Sequence, residues 1–162
     1  HFVDAVITFA NYVYSRYNLK TVFIPMQKIY DYEISKQAVA KIESATILER
    51  DFSADELLGL CADAVFLAGM RLHSIIYAFK AGTPAIGIAY DPKVKAVIEE
   101  FGQKFCADVA SVTAEQLKSF ADEIIANRSV ISAQISEKSA ELAKKSFLNA
   151  ECAVALLNEN MF

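Results

Sequence analysis

The sequence has 162 residues, 54% of them hydrophobic and 22% charged, with a formal net charge of −4. This composition is typical of one globular domain with a buried core and excludes a disordered chain. The acidic balance argues against a broad nucleic-acid surface, and no apolar stretch approaches the roughly 20 residues of a membrane-spanning helix.

The first half of the sequence alternates between helical and strand patterns. Apolar residues at steps of three and four predict a helix over residues 2–17. Runs rich in β-branched and aromatic residues predict strands at 21–26 and 45–50. Ser53 and Glu56 have the spacing of a capping box, so they predict where the next helix begins. The helix between the two strands is predicted to place four apolar residues on one face: Ile34, Ala38, Val39 and Ile42.

The same alternation continues through the middle of the chain. Apolar runs at 64–69 and 84–90 predict two further strands, and 104–109 predicts a short outer strand. The helices between these strands are predicted to end at Gly82 and Gly102, because glycine commonly occupies the left-handed position just after a helix.

Helical patterns fill the remainder of the sequence. Thr113 and Gln116 predict a second capping box, which starts a helix through about Asn127. The following segment, 130–157, is predicted to be a helical tail. Its apolar residues are Ile131, Ile135, Leu142, Phe147, Val154 and Leu157.

Regular alternation of apolar strands and helices predicts a mainly parallel sheet covered on both faces. We therefore expect a doubly wound, Rossmann-like α/β fold, as a single domain over residues 1–162 with a helical C-terminal tail. Cys61, Cys106 and Cys152 are far apart and lie in apolar patterns. We expect them to be core residues of a cytoplasmic protein, and neither a metal site nor disulfides.

In open parallel sheets, ligands bind beyond the carboxyl ends of the strands. Three predicted strand ends carry polar residues, in the segments PMQKIYD (25–31), GMRLH (69–73) and YDPKV (90–94). The sequence contains no phosphate-binding Walker loop, no dinucleotide fingerprint and no nucleophile elbow of the hydrolase type. It also has no cluster with metal-ligand spacing.

The segment GMRLH places two cationic residue types where a strand gives way to a helix. Gly69 allows a tight turn, Arg71 offers a fork of donors, and His73 enters the first helical turn. A cation at a helix start opposes the helix dipole, so we expect an anion to join Arg71 and His73 there. The alternative is that Arg71 pairs with a nearby carboxylate and His73 bonds a backbone carbonyl.

The other two segments are weaker signals. Asp91 followed by Pro92 is a common helix start and needs no ligand. Lys93 in the same turn could face the anion at Arg71. Asp31 is predicted either to cap a helix or to touch the substrate, and Gln27 is either a loop residue or a ligand contact.

Three segments together resemble the C-terminal half of the polysaccharide pyruvyl transferase family: FIPMQKIYD, GMRLHSIIYAFKAGTPAIGIAYDPKV and the glycine of EEFG. The resemblance runs from about residue 2 to residue 102. It implies a two-lobed protein of glycosyltransferase-B type, with this chain as the C-terminal lobe of a longer protein. A strand before the first helix and an N-terminal lobe would then lie outside this sequence, in agreement with its start at His1.

The resemblance also implies a reaction, the transfer of a pyruvyl group from phosphoenolpyruvate to a sugar, usually as a cyclic ketal. The acceptor would be a sugar of a cell-wall or exopolysaccharide precursor, often lipid-linked, at the inner face of the membrane. Phosphoenolpyruvate would be the donor substrate, with no cofactor. Arg71 and His73 match the residues implicated in donor binding and catalysis. The substrate-binding residues expected around them are Gly69, Met70, Leu72, Tyr90, Asp91, Lys93, Gln27 and Asp31.

Two other functions fit the same residues. The chain could be the nucleotide-sugar-binding lobe of another glycosyltransferase-B-type enzyme, or a module that binds a small anion without turnover. Because the chain would be a single lobe, we expect it to be inactive by itself. An exposed sheet edge would also favour a homodimer.

Overall fold

The computed structural model describes residues 1–159 and shows a regular alternation of helices and strands in them. The helices are α1 (Phe2–Tyr17), α2 (Lys28–Val39), α3 (Ala54–Asp63), α4 (Leu72–Lys80), α5 (Pro92–Glu100), α6 (Ala114–Ala126) and α7 (Arg128–Glu159). The strands are β1 (Thr21–Phe23), β2 (Ala45–Ile47), β3 (Leu67–Gly69), β4 (Ala85–Ala89) and β5 (Cys106–Asp108).

All pairs of neighbouring strands are parallel, but they form two separate sheets. β1 pairs with β2, and β4 lies between β3 and β5. The predicted α/β architecture with parallel strands is therefore confirmed, and 104–109 does contain an outer strand. The strands are shorter than predicted, and the predicted sheet is present as two sheets.

Helices cover both faces of the three-stranded sheet. α1 contacts α2 on one side and α6 on the other, so these three helices form one layer with α1 in the middle. α4 and α5 pack on the strands from the opposite face. The residues in and just before β3 contact both helix layers. The ring of Phe66, just before β3, lies 6.2 Å from that of Phe9 in α1, whereas Gly69 at the end of β3 faces Ile75 of α4.

The buried apolar residues form two clusters of unequal size. The larger surrounds the three-stranded sheet and includes Phe79, Ile86 and Leu117, all fully buried. The smaller consists of Ala10, Ala38 and Ile42, with Phe23 of β1 packed against it. α1 contributes Phe9 and Val13 to the larger cluster and Ala10 to the smaller one, so this helix joins the two sheets.

The predicted helix ends are mostly confirmed. α1 has the predicted bounds, and the capping box is present, with Glu56 N donating to Ser53 Oγ at 3.3 Å and Ser53 N to Glu56 Oε2 at 2.9 Å. Gly82 and Gly102 follow their helices in the left-handed region, at φ 74° and 67°. At α6, Gln116 N donates to Thr113 Oγ1. Among the described residues the reciprocal bond of a full capping box is absent there.

Three predictions about the core were wrong. Ile34 in α2 is 49% exposed. In α7, Ile131 and Ile135 are buried, but Phe147, Val154 and Leu157 are exposed, because the C-terminal part of this helix extends past the packed layers. Cys152 lies in that part and is exposed, whereas Cys61 is buried. None of the helices within residues 1–159 combines the length and the apolar character that a membrane crossing requires.

Candidate functional site

A pocket of about 430 Å³ lies at the carboxyl ends of β1, β3 and β4. The helices that follow these strands, α2, α4 and α5, begin beside it, so their N-terminal partial positive charges converge on it. Its lining residues are Met26, Gln27, Arg71, Leu72, His73, Tyr77, Tyr90, Asp91, Lys93 and Val94.

Arg71 forms a two-point ion pair with Asp31. Arg71 Nη2 lies 2.6 Å from Asp31 Oδ1, and Nε lies 3.3 Å from Oδ2. The carboxylate raises the pKa of Arg71 above its ordinary value. Asp31 Oδ2 also accepts a hydrogen bond from Gln27 N at 2.9 Å, which fixes the carboxylate. The guanidinium is thereby oriented, and part of its charge is balanced.

The start of α4 presents open backbone donors to the pocket. Arg71 is the N-cap residue, but its side chain makes no capping hydrogen bond. The first N–H groups of a helix have no partner within the helix. Within residues 1–159 those of Leu72 and His73 make no hydrogen bond, so they can bind a ligand. Gly69 lies just below this turn, and a Cβ on it would clash with Ser74 Oγ.

His73 is exposed, and within residues 1–159 its imidazole makes no hydrogen bond or ion pair. The alternative in which His73 bonds a backbone carbonyl is therefore not what the structure shows. For Arg71 the alternative is what the structure shows, because its guanidinium pairs with the Asp31 carboxylate. Of the two side chains, the imidazole is the one left free to meet a ligand.

The start of α5 supplies one further cation. Asp91 is the N-cap residue, and its Oδ1 accepts a hydrogen bond from Lys93 N at 2.8 Å, so its carboxylate has a structural role. The Lys93 side chain is exposed and forms no ion pair within the described chain. Tyr90 is 55% exposed, and its ring centre lies 6.0 Å from Arg71 Cζ.

The structure brings most of the predicted site residues to one place. Seven of them line the pocket, and Asp31 lies behind Arg71. Gly69 and Met70 do not line it, since Gly69 packs on α4 and Met70 packs against the larger core cluster. Sequence reasoning missed Met26, Tyr77 and Val94. Tyr77 lies one helical turn after His73, a spacing that could have indicated it.

The pocket therefore suits a small, multiply charged anion. Two cationic side chains, one imidazole and an uncapped helix start surround a space of a few hundred cubic ångströms. Among the described residues, no group of three or more His, Cys, Asp or Glu side chains could hold a metal ion. A groove along α7 has a similar volume, about 440 Å³, but Phe147, Val154 and two alanines line it together with Glu151, which does not suit an anion.

Comparison with known families gives one match. The family model for polysaccharide pyruvyl transferase matches residues 1–92, more than half of the chain. This region runs from α1 to the start of α5 and includes Asp31, Arg71 and His73. No curated protein and no solved structure matches the chain significantly.

Proposed function

Because the chain belongs to the polysaccharide pyruvyl transferase family, we propose that its pocket binds phosphoenolpyruvate as the donor of a pyruvyl group. The acceptor in this proposal is a sugar of a cell-wall or exopolysaccharide precursor. One observation carries the assignment: Arg71, His73 and Lys93 surround the uncapped start of α4 in a single pocket.

Phosphoenolpyruvate carries a phosphate and a carboxylate on three carbons, so its site needs several donors in a small space. Arg71 can bind the carboxylate through two parallel hydrogen bonds. Lys93 and the N–H groups of Leu72 and His73 then face the phosphate, which a helix start stabilises.

The reaction begins with proton transfer. His73, in its protonated form, gives a proton to the methylene carbon of the donor, and the adjacent carbon becomes electrophilic. One sugar hydroxyl adds to that carbon, and its proton restores the protonated form of His73. The carbon–oxygen bond to phosphate then breaks, and a second hydroxyl adds to close the ketal while its proton goes to the departing phosphate. Lys93 and the start of α4 stabilise the departing phosphate.

We place this chain in a doubly wound, Rossmann-like lobe of a two-lobed, glycosyltransferase-B-type enzyme. The parallel strands and the pocket at their carboxyl ends support this placement. The acceptor sugar, often lipid-linked, would be bound by the other lobe in the cytoplasm, at the inner face of the membrane. By itself, this chain is then expected to bind the donor without turnover.

Calorimetric titration of phosphoenolpyruvate into the chain tests donor binding. Arg71→Ala and Lys93→Ala should each weaken binding roughly tenfold, because each removes a charged hydrogen-bond donor. Lys95→Ala is the matched control, since Lys95 is an exposed lysine of the same helix that pairs with Glu99 outside the pocket. Equal affinities for the Lys93→Ala and Lys95→Ala chains would argue against the proposed phosphate contact.

The role of His73 needs a turnover measurement with the acceptor lobe present. His73→Ala should lower kcat strongly while changing the donor KM little, because the proton transfer belongs to the chemical step. Unchanged turnover in His73→Ala or in Arg71→Ala would refute the assignment.

A nucleotide sugar is the competing ligand, because a helix start also suits a diphosphate. A competition titration distinguishes the two. Phosphoenolpyruvate should bind with an Arg71-dependent affinity, and a uridine diphosphate sugar should not displace it. Displacement by the nucleotide sugar, with no binding of phosphoenolpyruvate alone, would favour the competing function.

A further inference from the structure

The exposed end of α7 carries apolar residues in a regular repeat. They recur at alternating steps of three and four residues, and we call them the α7 stripe: Ala140, Ala143, Phe147, Ala150, Val154 and Leu157. All six are exposed, and the groove described above lies along the second half of the stripe. A repeat of seven residues is the pattern by which one helix packs lengthwise against another.

Two charged residues beside the α7 stripe have no ion-pair partner in the described chain. Lys144 and Glu151 are both exposed, and neither forms an ion pair within residues 1–159. Lys145, by contrast, pairs with Glu141 one turn away. Lys144 and Glu151 are one repeat apart, so they lie on the same side of the stripe but about 10 Å apart along the helix axis. That distance is too long for an ion pair within one helix.

The sizes of the stripe residues fit a reversed copy of the same stripe. In an antiparallel helix pair with Phe147 opposite the partner's Ala150, each large residue of the stripe meets an alanine. The other two pairs are Val154 with the partner's Ala143 and Leu157 with the partner's Ala140. In a parallel pair, Phe147 would meet the partner's Phe147 and Ala150 the partner's Ala150, which leaves gaps beside the alanines.

The same antiparallel register brings the unpaired charges together. The side of the stripe that carries Lys144 then meets the same side of the other helix. The position directly opposite Lys144 is two residues from the partner's Glu151, a step of about 3 Å along the axis. A shift by one repeat in either direction would place like charges together, Glu151 beside the partner's Glu151 or Lys144 beside the partner's Lys144. Size and charge therefore favour the same register.

We propose that the α7 stripe binds a second copy of this chain as an antiparallel dimer. Two-fold symmetry forms each large-to-alanine contact and each Lys144–Glu151 pair twice, and it closes the assembly at two copies. The contact is about 27 Å long. This is small for a specific interface, so we expect a dissociation constant of roughly 10–100 µM. At about 1 µM the chain is then mostly monomeric.

Sedimentation equilibrium over roughly 1–500 µM protein tests the dimer. The parent chain should pass from monomer to dimer in this range. Phe147→Asp should remain a monomer, because it places a charge near the centre of the apolar contact. Circular dichroism and Tm at about 1 µM should be the same for both chains, because Phe147 is exposed and lies outside the core.

A charge swap tests the antiparallel register. Lys144→Glu and Glu151→Lys should each weaken the dimer roughly tenfold, because two attractive pairs become repulsive. The double variant restores opposite charges across the interface, and its dissociation constant should lie within about threefold of the parent value. Lys145→Glu is the matched control. It makes the same change of charge on the opposite side of the helix and should leave the dissociation constant unchanged.

Three results would overturn the proposal. The first is a parent chain that stays monomeric at about 500 µM, since the α7 stripe would then bind a different partner, such as another lobe of the same protein. The second is a dimer that Phe147→Asp does not weaken, because the copies would then meet through another surface. The third is a double charge variant that dimerises as weakly as the two single variants, because Lys144 and Glu151 would then not meet across the interface.

Discussion

At the scale of single residues, Asp31 controls how much of the Arg71 charge reaches the pocket. The carboxylate binds the guanidinium at two points and is itself held by Gln27 N. The pair orients Arg71, but it also places a negative charge beside a site that suits anions. A ligand carboxylate must therefore share Arg71 with Asp31 or replace it.

Asp31→Asn should strengthen the binding of phosphoenolpyruvate. Asparagine keeps an oxygen that can accept hydrogen bonds from Arg71 and Gln27 N. It removes the repulsion between the Asp31 carboxylate and the negative charges of phosphoenolpyruvate. We expect affinity to rise roughly threefold to tenfold at low ionic strength and less at 1 M salt. Glu99→Gln is the control, since it removes the same charge from an exposed position that does not line the pocket. Weaker binding by Asp31→Asn would show that orientation of Arg71 outweighs the charge.

At the scale of elements, local signals in the sequence predicted the helices well. Caps and left-handed glycines depend on residues within one turn, so Ser53, Gly82 and Gly102 could be assigned from the sequence. Strand ends depend on pairing with distant segments. The apolar run at 64–69 is regular strand only from Leu67, where β4 provides partners.

The candidate site shows the same division. The positions of Arg71, His73 and Lys93 follow from their place in the first turns of two helices, which the sequence indicates. The pairing of Arg71 with Asp31 joins residues 40 positions apart and could not be predicted from local patterns. The exposure of Phe147 could not be predicted either. The spacing of apolar residues along a helix does not reveal whether another element packs against that face.

Glu56 makes the start of α3 sensitive to acid. Arg50 and then Ser53, as hydrogen-bond donors, lower the pKa of Glu56 from 4.5 to about 2. A carboxyl group with a depressed pKa stabilises the folded state above its ordinary pKa, and this contribution is lost as the pH falls from about 4.5 to about 2. Glu56→Gln should therefore reduce the free energy of unfolding at pH 7 and flatten its pH dependence in that window.

Denaturant unfolding from pH 2 to pH 7 would measure this effect. The difference between Glu56→Gln and the parent chain should disappear near pH 2, and it should shrink in high salt because the Arg50 pair is exposed. Asp55→Asn changes the same net charge in the same turn and should leave the pH dependence of the parent chain in place. A constant difference between Glu56→Gln and the parent at every pH would contradict the prediction.

At the scale of the whole molecule, α7 divides into a packed part and an exposed part. Ile131 and Ile135 are buried in the larger core cluster, and α7 contacts α4 and α6. Farther along, Phe147 is 71% and Leu157 67% exposed. The stability of the domain should therefore depend on the first turns of this helix and hardly on its end.

Ile135→Ala should lower the free energy of unfolding by about 3 kcal/mol, because it leaves a cavity at a fully buried position. Leu157→Ala in the same helix should change it by less than about 0.5 kcal/mol. Denaturant unfolding at a fixed pH measures both. A large loss in Leu157→Ala would show that the end of α7 packs against another element or copy in solution.

The unequal size of the two core clusters has a consequence for partial unfolding. The stability of the half containing β1, α2 and β2 depends on the three buried apolar residues of the smaller cluster and on contact with α1. The other half contains most of the buried core. Local opening should therefore begin in the smaller half, with the larger half still native. Such an opening would carry Gln27 and Asp31 away while Arg71, His73 and Lys93 keep their positions. A ligand that touches both walls would then couple the two halves, and the occupied pocket would fold and unfold as one cooperative unit.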